Sequence, residues 1–529
     1  MPSIQEHADL LIERMGNRPL QILIEIQRRF GHVPDDAIGQ LSTRLHIPFS
    51  RIVGDVEFYA LLSREPKGDY AFLMSDNITD WMQGSRVLFS RLSKNLGNHA
   101  SLSNTSCTGM CDQGPALLVN GLAVPNLSAS RIDAIADLVK RSIPVSSWPE
   151  EFFRVESNLK RQSWLFDDWQ GPHLKGEDLL QALQDCALRG RGGAGYPTAK
   201  KWNACREAKG EGRYVVCNAD EGEPGTFKDR ALLQHRADRL FEGMALCADI
   251  VGAEHGILYV RGEYRYLEDH LKEAIARWSR PGFEIELHWG AGAYICGEES
   301  ALLESIEGKR GIPRVRPPFP VTHGLFGMPT VVDNVETFCA VAAIASGGEK
   351  AFRSLGTEKS KGTKLLSISG DCVKPGVYEF PFGVSVEALL AECEAKDALA
   401  VQVGGAAGTC LDKTEFGRRI GFEDLPTSGS IMIFNASRDM SEAALNFARF
   451  FADESCGFCT PCRVGTSLLA EALESATRGG EAVSEIENLN IVLRASHCGL
   501  GLSASRAVMD MLKKFPEHFA AGRAALEGR

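Results

Sequence analysis

No run of about 18 or more apolar residues occurs in the 529-residue chain, which argues against a hydrophobic membrane-spanning helix. The opening MPSIQEHADLLIERMG alternates charge with Leu and Ile and lacks the basic end and apolar stretch of a secretory leader. Positive charge is not in excess: the net charge is −11, which argues against a nucleic-acid footprint. An even set of cysteines is missing too. The 15 present are scattered singly through apolar segments except in two clusters, which fits a reducing compartment better than a disulfide framework. A cytoplasmic protein without membrane insertion is expected. Neither low-complexity tracts nor a period of about 20 to 50 residues is visible.

What is present is an ordinary globular composition, 44% hydrophobic and 24% charged, in a chain long enough for several domains. Residues 1 to 60 carry helical apolar spacing, as in ADLLIERM and PLQILIEIQRRFG. DYAFLMSD and PALLVNGLAV read as short strands, alternating with helical WMQGSRVLFSRLSKNLG and SASRIDAIADLVKRS, a small α/β unit. SIPVSSWPEEFF reads as a linker. A long mixed region with glycine-rich loops follows to about residue 345. In the next stretch, KLLSISGDCVKPGVYEFPFGVSVEALLAECEAKDALAVQVGG, strands bracket one helix. The remainder, from about residue 440, is mainly helical.

The most specific motif is ESCGFCTPCRVG at 454–465, with Cys456, Cys459 and Cys462 at intervals of three. RVGT follows the third cysteine, so the local bacterial-ferredoxin pattern fails and a fourth ligand must come from elsewhere. Cys498 in ASHCGLG is the candidate. Four thiolates suit tetrahedral zinc or a [4Fe–4S] cluster, and three on one loop match a cubane corner better than the separated pairs usual for zinc.

RGRGGAGYPTAKKW at 189–202 has G-x-G-x-x-G spacing, but the preceding LLQALQDCALRG looks helical, so the Rossmann context is absent. The loop still lets backbone N–H groups approach a phosphate, or is a flexible turn. YVVCNADEGEPGTFKDR at 214–230 places a buried strand before Asn218, Asp220, Glu221 and Glu223, a set able to bind ribose or ribityl hydroxyls, to hold a hard cation, or to remain a solvated acidic loop. GAGAYICGEESALLESIEGKRG repeats the theme, with Glu298 and Glu299 opening an amphipathic helix. RPPFP and PTVVDNVET add a rigid turn and another polar loop.

In this order, from about residue 175 to the end, these segments closely resemble the NADH-binding flavoprotein subunit of respiratory complex I and its soluble diaphorase relatives. The resemblance implies FMN contacts at Gly190, Gly192, Lys201, Asn218, Asp220, Glu221, Gly297, Glu298, Glu299, Asn334 and Thr337, and NADH contacts at Tyr196, Glu223, Tyr294, Arg316 and Phe319. It implies one [4Fe–4S] cluster on Cys456, Cys459, Cys462 and Cys498. Tyr196 replaces a usual Phe, Arg316 a usual Lys, and Asp333 a usual Asn beside the flavin. No acid–base catalytic side chain is implied, because the flavin carries the hydride chemistry.

The implied fold is multidomain α/β: a helical lead-in with a thioredoxin-like domain (1–145), an FMN- and NADH-binding domain (146–345), a ubiquitin-like β-grasp domain (346–438) and a helical [4Fe–4S] domain (439–529). The N-terminal part resembles the companion subunit of complex I, which holds a [2Fe–2S] cluster. Here Cys107 and Cys111 stand for the later cysteine pair, while Ser75 and Asp80 stand where the first is expected, so no N-terminal cluster is expected. The implied role is the diaphorase subunit of an NAD-reducing nickel–iron hydrogenase, working with an iron–sulfur electron-transfer subunit. The alternatives are the same role in a molybdenum or tungsten formate dehydrogenase, or a non-catalytic scaffold.

Overall fold

The computed structural model describes residues 3–96, 100–171, 173–478 and 483–519. Gly97, where one expected helix ends, and residues 520–529 of the last expected domain lie outside the described residues.

The lead-in folds into helices Ile4–Met15, Pro19–Phe30, Asp35–Leu45 and Phe49–Phe58. The first opens with a Ser3/Glu6 capping box, which satisfies otherwise orphaned N–H groups. A small mixed sheet follows, from β1 (Tyr70–Ser75), β2 (Ala100–Thr105), β3 (Leu117–Val119) and β4 (Leu122–Val124), in the order β2-β1-β3-β4. The expected strand–helix–strand–helix order lacks β2. Its sequence ASLSNT lies at the sheet edge with no fully buried side chain, so no apolar alternation marks it. The expected linker at 142–153 is packed: Trp148 stacks on Tyr70 and Phe72 with centroids 6.0 and 6.4 Å apart.

The chain then lends β5 (Leu159–Arg161) as a parallel edge strand to a sheet otherwise built from residues 363–435. This strand lies within the segment expected to belong to the 146–345 domain. The fully parallel second sheet consists of β6 (Tyr214–Ala219), β7 (His255–Val260), β8 (Glu284–Trp289) and β9 (Thr330–Asn334), in the order β8-β7-β6-β9. Successive strands run outward from β6 to β8, and β9 returns on the other side of β6. The strand order therefore reverses between β6 and β9, the position where open α/β sheets leave a crevice.

The six-stranded sheet adds β10 (Thr363–Gly370), β11 (Gly376–Pro381), β12 (Ala398–Val403), β13 (Thr409–Asp412) and β14 (Ser430–Asn435) to β5, with the helix Val386–Glu392 against its own apolar core. Helices Met440–Asp453, Thr460–Thr477, Val483–Leu493, Gly499–Ser503 and Arg506–Lys514 complete the described chain. Among the described residues no helix is long and apolar enough to cross a membrane.

Candidate functional site

A cleft of about 590 Å³ opens at the carboxyl ends of β6 and β9. Asn218 and Asn334 are partners in the strand register and flank the reversal of strand order. Around them gather the glycine loop, the acidic loop after β6, the turn after β8, loops of the six-stranded sheet, and Gly499 and Leu500 directly after Cys498. Nine of the expected binding residues line this cleft: Gly192, Asn218, Asp220, Glu221, Glu223, Tyr294, Gly297, Glu298 and Asn334.

The other seven lie outside the lining. Gly190 N–H donates to the Tyr196 carbonyl at 2.9 Å and closes the glycine loop on itself. Tyr196 and Phe319 turn aromatic faces outward, at 54% and 52% exposure. Arg316 reaches Glu299 at 3.1 Å and Glu298 at 3.3 Å. Thr337 is buried, its hydroxyl accepting from Arg191 N–H at 2.9 Å. Lys201 donates to Asp333 Oδ1 at 3.0 Å and to the Val332 carbonyl at 2.8 Å. Burial opposes the Lys201 charge, and Asp333 with Glu299 outweighs it, so its pKa is raised. Asp333 also accepts from Trp202 Nε1 at 2.8 Å and pairs with Lys201 at 3.0 Å.

In the acidic loop Glu221 is buried while Asp220 and Glu223 are half-buried along the cleft. Burial pushes Asp220 up to about 8 and Glu221 and Glu223 up to about 7. Glu221 accepts from Asp229 N–H at 2.8 Å and Arg230 N–H at 3.1 Å, capping the helix Lys228–His235 from a distance, and from Tyr264 Oη at 2.9 Å. Glu223 accepts from Tyr294 Oη at 2.6 Å and Ala407 N–H at 3.2 Å. Asn218 donates to the Gly297 carbonyl at 2.8 Å.

These residues fit a polyhydroxylated nucleotide such as FMN. Asp220 Oδ2 and Ser428 Oγ are buried without a hydrogen-bond partner, and a buried acceptor in that state calls for a donor such as a ribityl hydroxyl. The glycines let the walls approach closely: a Cβ on Gly192 would stand 3.2 Å from Asn334 Cβ, and one on Gly222 3.1 Å from Tyr294 Cδ2.

The four cysteines sit next door. Cys459 and Cys498 occupy the N-cap positions of Thr460–Thr477 and Gly499–Ser503, and burial pushes the Cys498 thiol up to about 11. His497 N–H points at Cys459 Sγ at 3.4 Å, tying the distant segment to the cysteine loop. Cys462 and Cys498 are buried, with Cys456 and Cys459 half-buried. Four thiols are a donor set that suits an iron–sulfur cluster or tetrahedral zinc, and among the described residues no three His, Cys, Asp or Glu side chains are gathered closely enough to hold a metal ion. Glu454, two residues before Cys456, accepts from Tyr294 N–H at 2.8 Å and so joins the cysteine loop to the cleft wall.

Sequence reasoning did not single out Glu454, Ser428, Lys228 or Asp229. Lys228 and Asp229 are fully buried, 2.6 Å apart, and both meet Asn334, at 3.2 and 2.7 Å. A Lys-Asp pair inside a segment otherwise read as a strand and loop was the available signal.

A crevice at a strand-order reversal, walled by glycines and buried acids and bordered by four cysteines, defines an iron–sulfur flavoprotein of the nucleotide-oxidising class. Residues 183–343 match the Nuo51 FMN-binding domain, 8–140 the thioredoxin-like [2Fe-2S] ferredoxin, and 442–522 the NADH-ubiquinone oxidoreductase-F iron-sulfur binding region. The alpha subunit of the NAD-reducing hydrogenase HoxS of Cupriavidus necator is 38% identical over 94% of this chain and 91% of its own. An NADH-quinone oxidoreductase subunit of Aquifex aeolicus is 40% identical over 65% of this chain and 85% of its own. A chain in the crystal structure of an NAD⁺-reducing [NiFe]-hydrogenase in the H2-reduced state superimposes with a TM-score of 0.90 at 41% identity, covering 96% of this chain and 93% of that one. The chain belongs to the family of NADH-binding flavoprotein subunits that includes these proteins.

Proposed function

We propose that this chain is a diaphorase subunit that exchanges hydride between NAD(H) and FMN and passes single electrons toward a [4Fe–4S] cluster on Cys456, Cys459, Cys462 and Cys498. The observation that carries the proposal is the shared wall: Gly499 and Leu500, next to Cys498, line the same cleft as the glycine loop and the acidic loop. Bound FMN supplies the conversion of a two-electron hydride into single electrons. The chain's residues bind and orient. Gly192 and its neighbours leave room for the nucleotide, Asp220 offers an unpaired acceptor, and Tyr294 locks Glu223 in place. Tyr196 and Phe319 present aromatic faces for a nicotinamide or adenine ring, and Arg316 adds charge for its phosphates. Purified chain, loaded with FMN and reconstituted with iron and sulfide, is expected to reduce a viologen with NADH. Flavin-loaded, folded protein without that activity would overturn the proposal.

The assembly we propose is an NAD-reducing hydrogenase, with an iron–sulfur subunit taking up the electrons. The alpha subunit of the hydrogenase aligns with 94% of this chain, N-terminal region included, whereas the Aquifex protein aligns with 65%. Nickel in the purified complex is the expected result; molybdenum or tungsten without nickel would reassign it to a formate dehydrogenase.

A further inference from the structure

The description that matches residues 8–140 is that of a [2Fe–2S] ferredoxin. Such a cluster takes four anchors, preferably thiolates. Before residue 145 the chain has only Cys107 and Cys111. The structure shows what fills the rest of the place. Asn77 Nδ2 lies 3.4 Å from Cys107 Sγ, 3.7 Å from Cys111 Sγ, 2.8 Å from Ser75 Oγ and 2.6 Å from Asp80 Oδ2. One amide nitrogen thus sits at the centre of the four expected ligand positions.

Asn77 cannot easily swing away. Its Oδ1 caps the helix Ile78–Met82, accepting from Thr79 N–H at 2.9 Å, Thr79 Oγ1 at 2.6 Å and Asp80 N–H at 3.1 Å. The two sulfurs are 3.7 Å apart, a spacing that two thiolates on one iron could share, so the misfit lies in Asn77 filling the space and in Ser75 and Asp80 replacing thiolates; all five side chains are buried. The residues present do not fit the cluster.

The cysteine loop is instead wired to the nucleotide cleft. Arg261 Nη2 donates to the Cys107 carbonyl at 2.6 Å. Arg230 donates to the Gly109 carbonyl at 2.7 Å and to both Asp112 oxygens at 2.8 Å, with the Arg230 and Asp112 side chains fully buried. The same two arginines hold Glu221 on the cleft wall: Arg230 N–H meets its carboxylate at 3.1 Å, and Arg261 Nη1 donates to its carbonyl.

We propose that the thioredoxin-like domain of this chain carries no cluster, and that the Asn77-centred knot holds the Cys107–Asp112 loop as a rigid brace for the acidic wall of the cleft. The second half rests on the reading of that cleft as the flavin site.

Full-length protein reconstituted anaerobically should hold about four irons per chain, those of one cubane. Cys107→Ser/Cys111→Ser should leave iron content and the electron paramagnetic resonance of the reduced protein unchanged, while Cys456→Ser removes the cubane signal. About six irons per chain, with a [2Fe–2S] signal that the double substitution abolishes, would overturn the cluster-free assignment. For the brace, Asp112→Asn should weaken FMN binding, read by flavin fluorescence, about tenfold while iron content stays at the wild-type level. Arg230→Lys keeps the positive charge and shortens the reach, and should act in the same direction. Unchanged FMN affinity in both variants overturns the brace; wild-type protein that binds no FMN overturns the cleft reading beneath it.

Discussion

The Tyr294 hydroxyl donates to Glu223 at 2.6 Å, and the same carboxyl accepts from Ala407 N–H at 3.2 Å. Two walls of the cleft, one from the parallel sheet and one from the six-stranded sheet, therefore meet through one half-buried carboxyl. Its ionisation should govern how tightly they close.

Burial raises Glu223 from 4.5 to about 7, with the hydrogen bonds from Tyr294 and Ala407 pulling the other way. A carboxyl with a raised folded-state pKa stabilises the fold at low pH and loses that advantage as pH rises from about 4.5 through about 7. Glu223→Gln removes the titration. In flavin-free protein, the stability of the variant relative to wild type should rise between pH 5 and pH 8 by up to about 3 kcal/mol. Denaturant titrations at the two pH values measure it, and a constant difference would refute the burial argument.

Asp333 and Lys201 form a largely buried pair at 3.0 Å, with Trp202 Nε1 on the second carboxylate oxygen. Asp333→Asn removes the counter-charge of Lys201, leaving it neutral acceptors only, and should cost about 1–3 kcal/mol. Chemical denaturation reads the loss. A neutral result would mean that solvent already screens the pair.

Gly195 has φ +63°, and a Cβ there would stand 2.3 Å from Phe422 Cε1. Gly195→Ala combines left-handed strain with that clash. A loss of about 1–3 kcal/mol in stability is expected, together with lower flavin occupancy of the purified protein. Full occupancy with wild-type stability would show that the glycine loop tolerates a side chain.

Cys498→Ser should separate the two halves of the electron path. The variant is expected to lose its iron and its viologen reductase activity while NADH still bleaches the bound flavin in a stopped-flow experiment. Retention of viologen reduction at the wild-type rate would remove Cys498 from the path.

Local spacing made a good part of this protein legible. The strand YVVCNA with its acidic loop and the Glu298/Glu299 helix start adopt the elements their patterns imply, whereas of the three cysteines expected on one loop Cys462 lies inside the helix Thr460–Thr477 and Cys459 at its N-cap. The edge strand β2 escaped because an exposed, polar strand leaves no period in the sequence. β5 escaped because its partner β11 lies more than two hundred residues away, and a three-residue strand has too little pattern to announce that pairing.

The residue types and their order supplied a glycine loop, an acidic loop and a set of four cysteines, since side-chain chemistry and short-range spacing are properties of the chain, and their combined resemblance to the flavoprotein family tied them to one function. Only the tertiary structure decided which of them meet. Asn218 faces Asn334 through parallel register, Glu454 reaches Tyr294 across 160 residues, and Asn77 fills the space between Cys107, Cys111, Ser75 and Asp80. Such contacts depend on packing distant segments into one low-dielectric interior, where every buried polar group must find a partner, and no local pattern records which partner that is.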